Sequence, residues 1–405
     1  MTQSHWSRIF VSLAALAIVV VTARHGGQVS PAAPSSPLTF FSSPVGKAPR
    51  LLAEVYLPLV ARNAGGSQSG IYLPLIVWRH PRAKASRAPT PQPTPDWPAA
   101  LSQPGRSKLG LHVIQNNTPH IMEFIRRTKP AVVKGLGGFG WASDVKKASP
   151  ETVTVGRLLE DPDEGIMSGD PEAAAQAFVA RHLAEYLINP GVDYWEGWNE
   201  PVPGPNMAWY ARFEAERARR MADHGLRAAI GGFATGTPEW DEFVEFLPAI
   251  QAALDHGGIL TLHEYAAPTM DYRVGEALPG HPAYPDRGLL TLRYRWWYED
   301  LLKPRGLVIP LVISEGGIDG QVKQDLAPPG LGWRDFVAYW AQQGLGAGGA
   351  ETYIEQLAWY DGQLQGDDYV LGVAIFTAGS PPGQWKSFDI TAMLSRLAKY
   401  VVSQQ

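Results

Sequence analysis

Cysteine is missing from the entire 405-residue chain, and its absence removes several kinds of chemistry. Without thiols there are no disulfides, no thiolate zinc sites and no cysteine nucleophile. Charge is also scarce, because only 18% of the residues are charged and the formal net charge is −4. No basic stripe is available to displace counterions from phosphates. A nucleic-acid partner is therefore not expected.

The apolar run at the N terminus is shorter than a membrane-spanning helix requires. It extends from Ile9 to Val21, follows a polar start that contains Arg8, and leads into the small residues Thr22 and Ala23. A bilayer core requires ~20 apolar residues. The pattern predicts a secretory signal peptide over residues 1–23, and hence a secreted or cell-surface protein. A retained anchor, which would tether the protein to a membrane or cell envelope, is the alternative.

Apolar and aromatic residues, in contrast, are plentiful. The chain is 45% hydrophobic, which suffices for one large core or two ordinary ones. Its 14 Trp and 15 Tyr are more than a core alone would need. Aromatic faces stack on sugar rings and other flat apolar surfaces, although a large barrel core would also use many of them.

Residues 24–105 are rich in Pro, Ser, Ala and Gly and are predicted to be a largely disordered stem. The stem contains one small repeat, VYLPLV at 55–60 and IYLPLI at 71–76. Two copies are too few for a solenoid. Each copy is an edge strand interrupted by Pro, an adhesive segment, or an apolar stretch in a linker. The Pro-Thr run at 88–95 is typical of spacers between modules, and the main domain is predicted over 106–405.

In the main domain, short apolar runs alternate with helical patterns. Strands are predicted at 109–114, 131–134, 152–157, 194–198, 228–232, 259–263, 308–314 and 370–376. Helices are predicted at 119–127, 171–187, 206–224, 238–256, 289–302, 333–341 with 350–364, and 390–402, with a shorter segment at 141–147. Eight strands, each followed by a helix, predict an α/β fold, the (β/α)₈ TIM barrel. An open doubly wound sheet is the alternative.

Two carboxylates stand at the ends of predicted strands, where a TIM barrel carries its reactive groups. Glu200 closes the aromatic fourth strand within Asn199-Glu200-Pro201, and Glu315 closes the seventh within Ser314-Glu315-Gly316-Gly317. The two face each other across the barrel mouth. Hydrolysis of a glycosidic bond uses such a pair, with one carboxyl as proton donor and the other as nucleophile, about 5–5.5 Å apart in retaining enzymes. One must stay protonated while the other stays ionised, so their surroundings must differ.

Other strand ends supply candidate partners for this pair. Asn199 would hold a sugar hydroxyl, and Tyr265 on the sixth strand would donate a hydrogen bond to Glu315. Cations such as Arg157 or His263 would favour the ionised form of a carboxylate. His112, at the end of the first strand, is a further candidate for substrate binding.

The sequence resembles the clan A superfamily of retaining glycoside hydrolases. The resemblance rests on Asn199-Glu200 at the fourth strand, His263-Glu264-Tyr265 at the sixth and Glu315 at the seventh, and it covers the chain from about Lys108 onward. It implies a (β/α)₈ fold, Glu200 as acid/base, Glu315 as nucleophile, and a poly- or oligosaccharide substrate. Many members carry a Trp on the eighth strand as the floor of the sugar site. Here Phe376 or Trp385 would have to serve.

The remaining candidates have less definite roles. Trp198 is expected to line the site and Trp195 to pack in the core. Lys134, at the end of the second strand, is expected to pair with carboxylates structurally. Glu264 should point away from its neighbours because side chains alternate along a strand, and Glu196 has no assigned role.

Three further expectations concern the protein as a whole. No metal site or cofactor is predicted, and the protein is expected to be a monomer. A carbohydrate-binding or cell-surface barrel that has lost turnover is the competing function. A nucleotide-dependent oxidoreductase is a further hypothesis, supported only by the glycine run 135–140. A dinucleotide site needs a full helix after the glycines, and too few residues separate this run from the next predicted strand.

Overall fold

The computed structural model describes residues 105–159, 161–322 and 331–405, together with the backbone of two strands at 55–60 and 70–75. The predicted signal peptide and the rest of the predicted stem lie outside these residues. The chain divides into two compact units, Met1–Pro89 and Thr90–Gln405.

The two copies of the stem repeat are strands that pair with each other. Strand β1 is Val55–Val60 and strand β2 is Gly70–Leu75, joined in an antiparallel hairpin. The register places Tyr56 opposite Pro74 and Pro58 opposite Tyr72. A two-stranded ribbon tolerates a proline in each strand because each strand has an outer edge that forms no ladder. Of the three interpretations of the repeat, the edge strand therefore matches the backbone.

The main unit contains a closed barrel of eight parallel strands, which confirms the predicted TIM barrel and excludes the open sheet. The strands are β3 Leu109–Val113, β4 Val132–Leu136, β5 Val153–Arg157, β6 Tyr194–Glu196, β7 Ala228–Phe233, β8 Ile259–Ala266, β9 Leu311–Ile318 and β10 Val370–Ala378. They follow one another around the barrel in chain order, and β10 closes on β3. Each strand of a parallel barrel is buried on both faces. Uninterrupted runs of Val, Ile and Leu therefore suit these strands better than an alternation of polar and apolar residues.

The helices surround the barrel. They are α1 Pro119–Thr128, α2 Ala142–Ala148, α3 Pro171–Ile188, α4 Met207–Asp223, α5 Trp240–Asp255, α6 Tyr294–Trp297, α7 Val337–Gln342, α8 Gly349–Gln365 and α9 Leu394–Ser403. Two begin with a side-chain cap followed by proline: Thr118 accepts from the His120 N–H before α1, and Asp170 accepts from the Ala173 N–H before α3. Such caps satisfy N–H groups that have no partner within the helix. Within the described residues, none of the helices has the length and apolar character that a bilayer crossing requires.

One predicted helix is wrong in extent. The segment 289–302 contains α helix only at Tyr294–Trp297, followed by a π-helical turn at Tyr298–Leu302. Residues 289–293 instead form a loop, in which Leu292 has a φ of 59°. The apolar periodicity could not reveal this, because a left-handed residue interrupts a helix without changing the hydrophobic pattern.

The barrel interior is filled mainly by Val, Ile and Ala side chains, together with one Tyr and one Leu. Its cluster comprises Val132, Val153, Val155, Tyr194, Ala229, Ile259, Val312, Leu371 and Ala374. A second, larger cluster packs the helices against the outside of the strands. The polar residues discussed below lie at the carboxyl ends of the strands, above this packed interior.

Candidate active site

Glu200 lies in the loop directly after β6, in a backbone conformation that its surroundings hold in place. Its φ is 45°, in the left-handed region that residues other than glycine seldom adopt. The Glu200 N–H donates to the Gly232 carbonyl at 2.9 Å, which ties the loop to the end of β7. The preceding Asn199 N–H donates to Oε1 of Glu164 at 2.6 Å. Pro201 then prevents either a strand or a helix from continuing.

Glu315 lies on β9 and is buried among donors. The Tyr265 hydroxyl donates to its Oε2 at 2.9 Å, and Lys134 Nζ donates to its Oε1 at 3.0 Å. Nε2 of His112 stands 3.5 Å from the same Oε1. At Gly317, two residues further on, a Cβ atom would meet the Tyr353 hydroxyl at 2.5 Å, so only glycine fits there.

His263 joins the two carboxylates. Its Nδ1 lies 2.8 Å from Glu200 Oε1 and 3.6 Å from Glu315 Oε2. Those two oxygens are therefore at most the sum of these distances, 6.4 Å, apart. This limit applies to one oxygen of each carboxyl group and is compatible with the roughly 5–5.5 Å separation of retaining glycosidases.

The strand β8 that carries His263 is fixed by Thr235 from the end of β7. The Thr235 hydroxyl donates to the His263 carbonyl at 3.1 Å and accepts from the Tyr265 N–H at 2.9 Å. One side chain thus sets the backbone on both sides of Glu264. Because alternate residues share a face, His263 and Tyr265 reach the carboxyl pair together.

The surroundings of the two carboxyl groups differ. Burial by itself would raise the pKa of Glu315, but neighbouring groups, above all His263 and Lys134, bring it well below its usual range. Its side chain is only 9% exposed, whereas the side chain of Glu200 is 41% exposed. Glu315 is therefore an ionised carboxylate, and Glu200 is the carboxyl that solvent and protons reach.

Lys134 also holds Glu196, a residue to which the sequence assigned no role. Its Nζ lies 2.7 Å from Glu196 Oε2, and both side chains are buried. Burial would raise the pKa of Glu196, but Lys134 and His263 lower it to about 2. The ammonium group thus lies between two ionised carboxylates, one on β6 and one on β9.

His112 is neutral, so it does not supply a charge to the site. Burial lowers the pKa of its imidazole to about 3. Nδ1 lies 2.8 Å from Oγ1 of Thr377, and Nε2 faces the Glu315 carboxylate. Nε2 stands 3.5 Å from Oε1 of Glu315 and has no hydrogen-bond partner among the described residues. His112 is therefore a neutral, buried neighbour of Glu315.

Four predicted substrate-binding residues carry a buried polar atom without a hydrogen-bond partner among the described residues. They are Oδ1 of Asn199, Nε of Arg157, Nε2 of His112 and Nε1 of Trp198. A buried polar atom without a hydrogen bond is costly, so such atoms at a site are accounted for by a ligand or by water. Arg157 follows β5, and its positive charge contributes to the low pKa of Glu315.

The end of β10 carries the aromatic residues that stand where a tryptophan was expected. The ring centroid of Phe376 lies 4.7 Å from that of His112 and 6.2 Å from that of Tyr265. Trp385 is 44% exposed and packs edge-on against Phe376, with ring centroids 5.0 Å apart. Phe376 therefore provides a buried floor beside the carboxylates, and Trp385 provides an exposed aromatic face at the rim.

Trp198 is not brought to the site, which corrects the expectation that it lines the site. It is 2% exposed and stacks on Phe213 of α4, with ring centroids 4.5 Å apart, and on Trp209. Residues 197–200 lie in the loop beyond β6, so strand alternation does not govern where Trp198 points. Trp195 packs in the core against Phe139 and Tyr186, as expected.

An open cleft of about 920 Å³ adjoins the carboxyl pair. Glu200, Tyr265 and Asp319 line it at the barrel mouth. Its walls are built by the loops after β7 and β8, and they include Thr235, Glu239, Tyr272, Arg273, Leu289, Leu290 and Arg293. A cleft of this size accommodates a ligand larger than one sugar ring.

Sequence reasoning missed Asp319, a further carboxyl that lines this cleft. Burial, together with the charges of Glu200 and Glu315, raises the pKa of Asp319 to about 6. Its Oδ1 accepts from the Gln321 N–H at 2.8 Å. The available signal was its position four residues after Glu315, but β9 extends to Ile318, beyond the predicted end of the strand.

The glycine run 135–140 does not form a dinucleotide site in this structure. The helix that follows, α2, has only seven residues and begins at Ala142 rather than at the glycines. Among the described residues, there is no group of three His, Asp or Glu side chains that could hold a metal ion.

Comparisons with known proteins show structural likeness alone. No protein-family model and no curated protein sequence matches the chain. Solved structures that are similar to it include XacCel5A in complex with cellopentaose, at 11% identity and a TM-score of 0.40, covering 72% of this chain and 99% of that one. An endo-1,4-β-D-mannanase from Thermotoga petrophila RKU-1 has 12% identity and a TM-score of 0.38, covering 73% and 99%. A GH5-4 broad-specificity endoglucanase from an uncultured bacterium has 10% sequence identity and a TM-score of 0.43. The match covers 76% of this chain and 96% of that one.

Proposed function

We propose that the barrel is a glycoside hydrolase that cleaves O-glycosidic bonds of a poly- or oligosaccharide with retention of configuration. The observation that carries this proposal is the arrangement around His263 Nδ1, with Glu200 Oε1 at 2.8 Å and Glu315 Oε2 at 3.6 Å. One carboxyl is ionised by buried cations and the other is open to solvent. Retaining hydrolysis requires this combination of short separation and unlike surroundings.

In the first step, a Glu315 oxygen attacks the anomeric carbon while the bond from that carbon to the leaving oxygen breaks. Glu200 transfers its proton to the leaving oxygen, and a glycosyl ester on Glu315 results. The hydrogen bonds from Tyr265 and Lys134 hold the Glu315 carboxylate in one orientation before attack. Such positioning lowers the barrier because little reorganisation remains at the moment of reaction.

In the second step, Glu200 acts as a base. It takes a proton from a water molecule, which attacks the anomeric carbon and releases Glu315 from the ester. The 41% exposure of the Glu200 side chain leaves room for that water. Asn199, whose Oδ1 has no partner among the described residues, would accept from a sugar hydroxyl beside the reacting carbon.

The N-terminal region completes the proposal. Residues 1–23 would direct export or, if retained, anchor the chain, and the stem would hold the barrel away from the cell surface. A secreted or cell-surface location fits a polymeric substrate that cannot enter a cell.

The test is hydrolysis by Glu315→Ala and Glu200→Ala, with Glu245→Ala, an exposed residue of α5, as the control. Glu315→Ala should lose activity on every substrate. In Glu200→Ala, kcat/KM should fall roughly 10²–10⁴-fold on oligosaccharides but little on aryl glycosides whose leaving group needs no proton, whereas kcat on aryl glycosides should fall because the second step has lost its base. Proton NMR of the first product should show the anomeric configuration of the substrate.

Unchanged activity in either variant would remove that residue from its role. Glycan binding without any product release, unaffected by Glu315→Ala, would instead favour the non-catalytic carbohydrate-binding barrel.

A further inference from the structure

Glu264 is a buried carboxyl that the proposed reaction does not use. It lies between His263 and Tyr265 on β8 and points to the opposite face of the strand, away from the barrel mouth. It is 2% exposed, and it accepts from three backbone N–H groups and the Tyr360 hydroxyl rather than from a side chain that contacts Glu200 or Glu315. A carboxylate is buried at such cost only if it is well satisfied.

Four donors converge on Glu264. The backbone N–H groups of Leu292, Arg293 and Tyr294 donate to it at 2.8, 2.9 and 3.3 Å. The Tyr360 hydroxyl, from α8, also donates to its Oε2. The three N–H groups come from consecutive residues at the start of α6, where no intrahelical acceptor exists.

The backbone that Glu264 holds is part of the cleft wall. Leu289, Leu290 and Arg293 line the cleft together with Glu200. They flank Leu292, whose φ of 59° is unfavourable for a bulky residue and persists only if its surroundings enforce it. The bond from the Leu292 N–H to Glu264 is one such constraint.

Other contacts confirm that this wall is a built structure. The Thr291 hydroxyl donates to the Met270 carbonyl at 2.6 Å, and Trp296 Nε1 donates to the Gly288 carbonyl at 3.0 Å. One η nitrogen of Arg293 donates to the Pro238 carbonyl at 3.0 Å, which joins the loop after β8 to the loop after β7. Glu264 adds three further hydrogen bonds to this wall, all to its backbone.

The wall faces a definite part of the substrate if the proposed function is correct. Glu200 protonates the leaving oxygen and lines the cleft, whereas Glu315, which holds the other half, is not among the residues that line it. The cleft therefore receives the part of the glycan that leaves first.

We propose that Glu264 is a positioning residue that fixes the 289–293 wall and thereby sets how tightly the leaving part of the glycan is bound. The inference rests on the proposed function for its substrate. One strand, β8, then serves both chemistry and specificity, with His263 and Tyr265 on one face and Glu264 on the other.

The test compares the wild type with Glu264→Gln at pH 8, above the pKa of about 7 that burial gives Glu264. The glutamine side chain of the variant can accept hydrogen bonds only through its one oxygen, and its NH₂ group faces N–H or O–H groups that it cannot bind. KM for an oligosaccharide should rise about tenfold, as expected when a buried donor loses its partner. The kcat on an activated aryl glycoside, which barely occupies the cleft, should stay within about threefold of wild type. Glu245→Gln is the charge-matched control.

Hydrogen exchange of the 289–294 amides supplies a readout that does not depend on catalysis, and it should be faster in Glu264→Gln. If that variant fails to fold, Tyr360→Phe removes a single donor and should shift KM and exchange in the same direction. If Glu264→Gln has the KM and the amide exchange rates of the wild type, the proposed role of Glu264 is wrong. If the wild type hydrolyses no glycan but exchange is still faster in the variant, the proposed function is wrong, whereas the role of Glu264 in holding the wall is supported.

Discussion

Lys134 places its Nζ 3.0 Å from Oε1 of Glu315, where its own side chain is fully buried and that of Glu315 is 9% exposed. The same nitrogen contacts Glu196 at 2.7 Å. A charge in such a position is not a solvated surface group. It compensates two carboxylates that burial would otherwise protonate, and so keeps the nucleophile candidate ionised.

Replacing Lys134 by Met should reduce both stability and activity. Two buried carboxylates would lose their cation, which costs about 3–5 kcal/mol of unfolding free energy in comparable buried pairs. The pKa of Glu315 should move upward, so kcat/KM at pH 5 should fall by at least about tenfold. Urea denaturation and a pH–rate profile measure the two effects. Lys147→Met, which removes an exposed lysine of α2, should change neither. An unshifted acid limb in Lys134→Met would contradict the assigned role.

His112 should make the protein less stable in acid. Burial lowers its folded-state pKa from 6.5 to about 3, so folding favours the neutral ring. Its contribution is fully present above pH 6.5 and is lost as the pH falls from 6.5 toward 3, with a slope of up to about 1.4 kcal/mol per pH unit. His112→Gln should flatten the dependence of unfolding free energy on pH in this window. His120→Gln, at an exposed histidine, should not. Equal slopes in all three proteins would refute the prediction.

Titration of Asp319 should produce an inflection in the pH dependence of kcat/KM. Burial raises its pKa to about 6, so above that pH Asp319 adds a negative charge to the cleft near the catalytic pair. Asp319→Asn, which resembles the protonated form, should abolish an inflection of kcat/KM near pH 6. Asp241→Asn, on the exposed start of α5, is the control. A wild-type inflection that survives in Asp319→Asn would assign it to another group.

Trp385 should contribute a binding face for sugar. Its ring is 44% exposed at the rim and braced by Phe376. Trp385→Ala should raise KM about fivefold, the effect of roughly 1 kcal/mol of aromatic contact, and leave kcat unchanged. Trp385→Phe should restore most of the affinity because it keeps an aromatic face. If the phenylalanine variant behaves like the alanine variant, stacking is not what Trp385 provides.

Strand order and strand ends were predictable because both follow from short-range patterns. Apolar runs of four to eight residues in the sequence predict the strands. Because all strands of a parallel barrel point the same way, the residues that follow each run lie at the same rim. Glu200, Glu315, His263 and Tyr265 were found in this way. Their mutual contacts follow from the order of strands around a closed barrel, which consecutive strand–helix units impose.

Residues beyond the strands were less predictable. The side chain of Trp198 follows β6 in a loop, so it turned toward α4 instead of the site. Asp319 lies past the predicted end of β9. The loop at 289–293 looked helical because its apolar spacing suits a helix, whereas the N–H groups that begin α6 are bonded to Glu264, about thirty positions away in the chain.

The sequence by itself determined the closed barrel and the two strands that carry the carboxyl pair, because hydrophobic periodicity and strand termini are local properties of the chain. Only the tertiary structure decided which carboxyl is ionised, which aromatic side chains face the cleft, and how Glu264 supports its wall. Those properties depend on burial and on neighbours distant in the chain, above all on where Lys134 and His263 come to lie. A pKa is set by the charges and solvent around a group, and the fold alone brings them together.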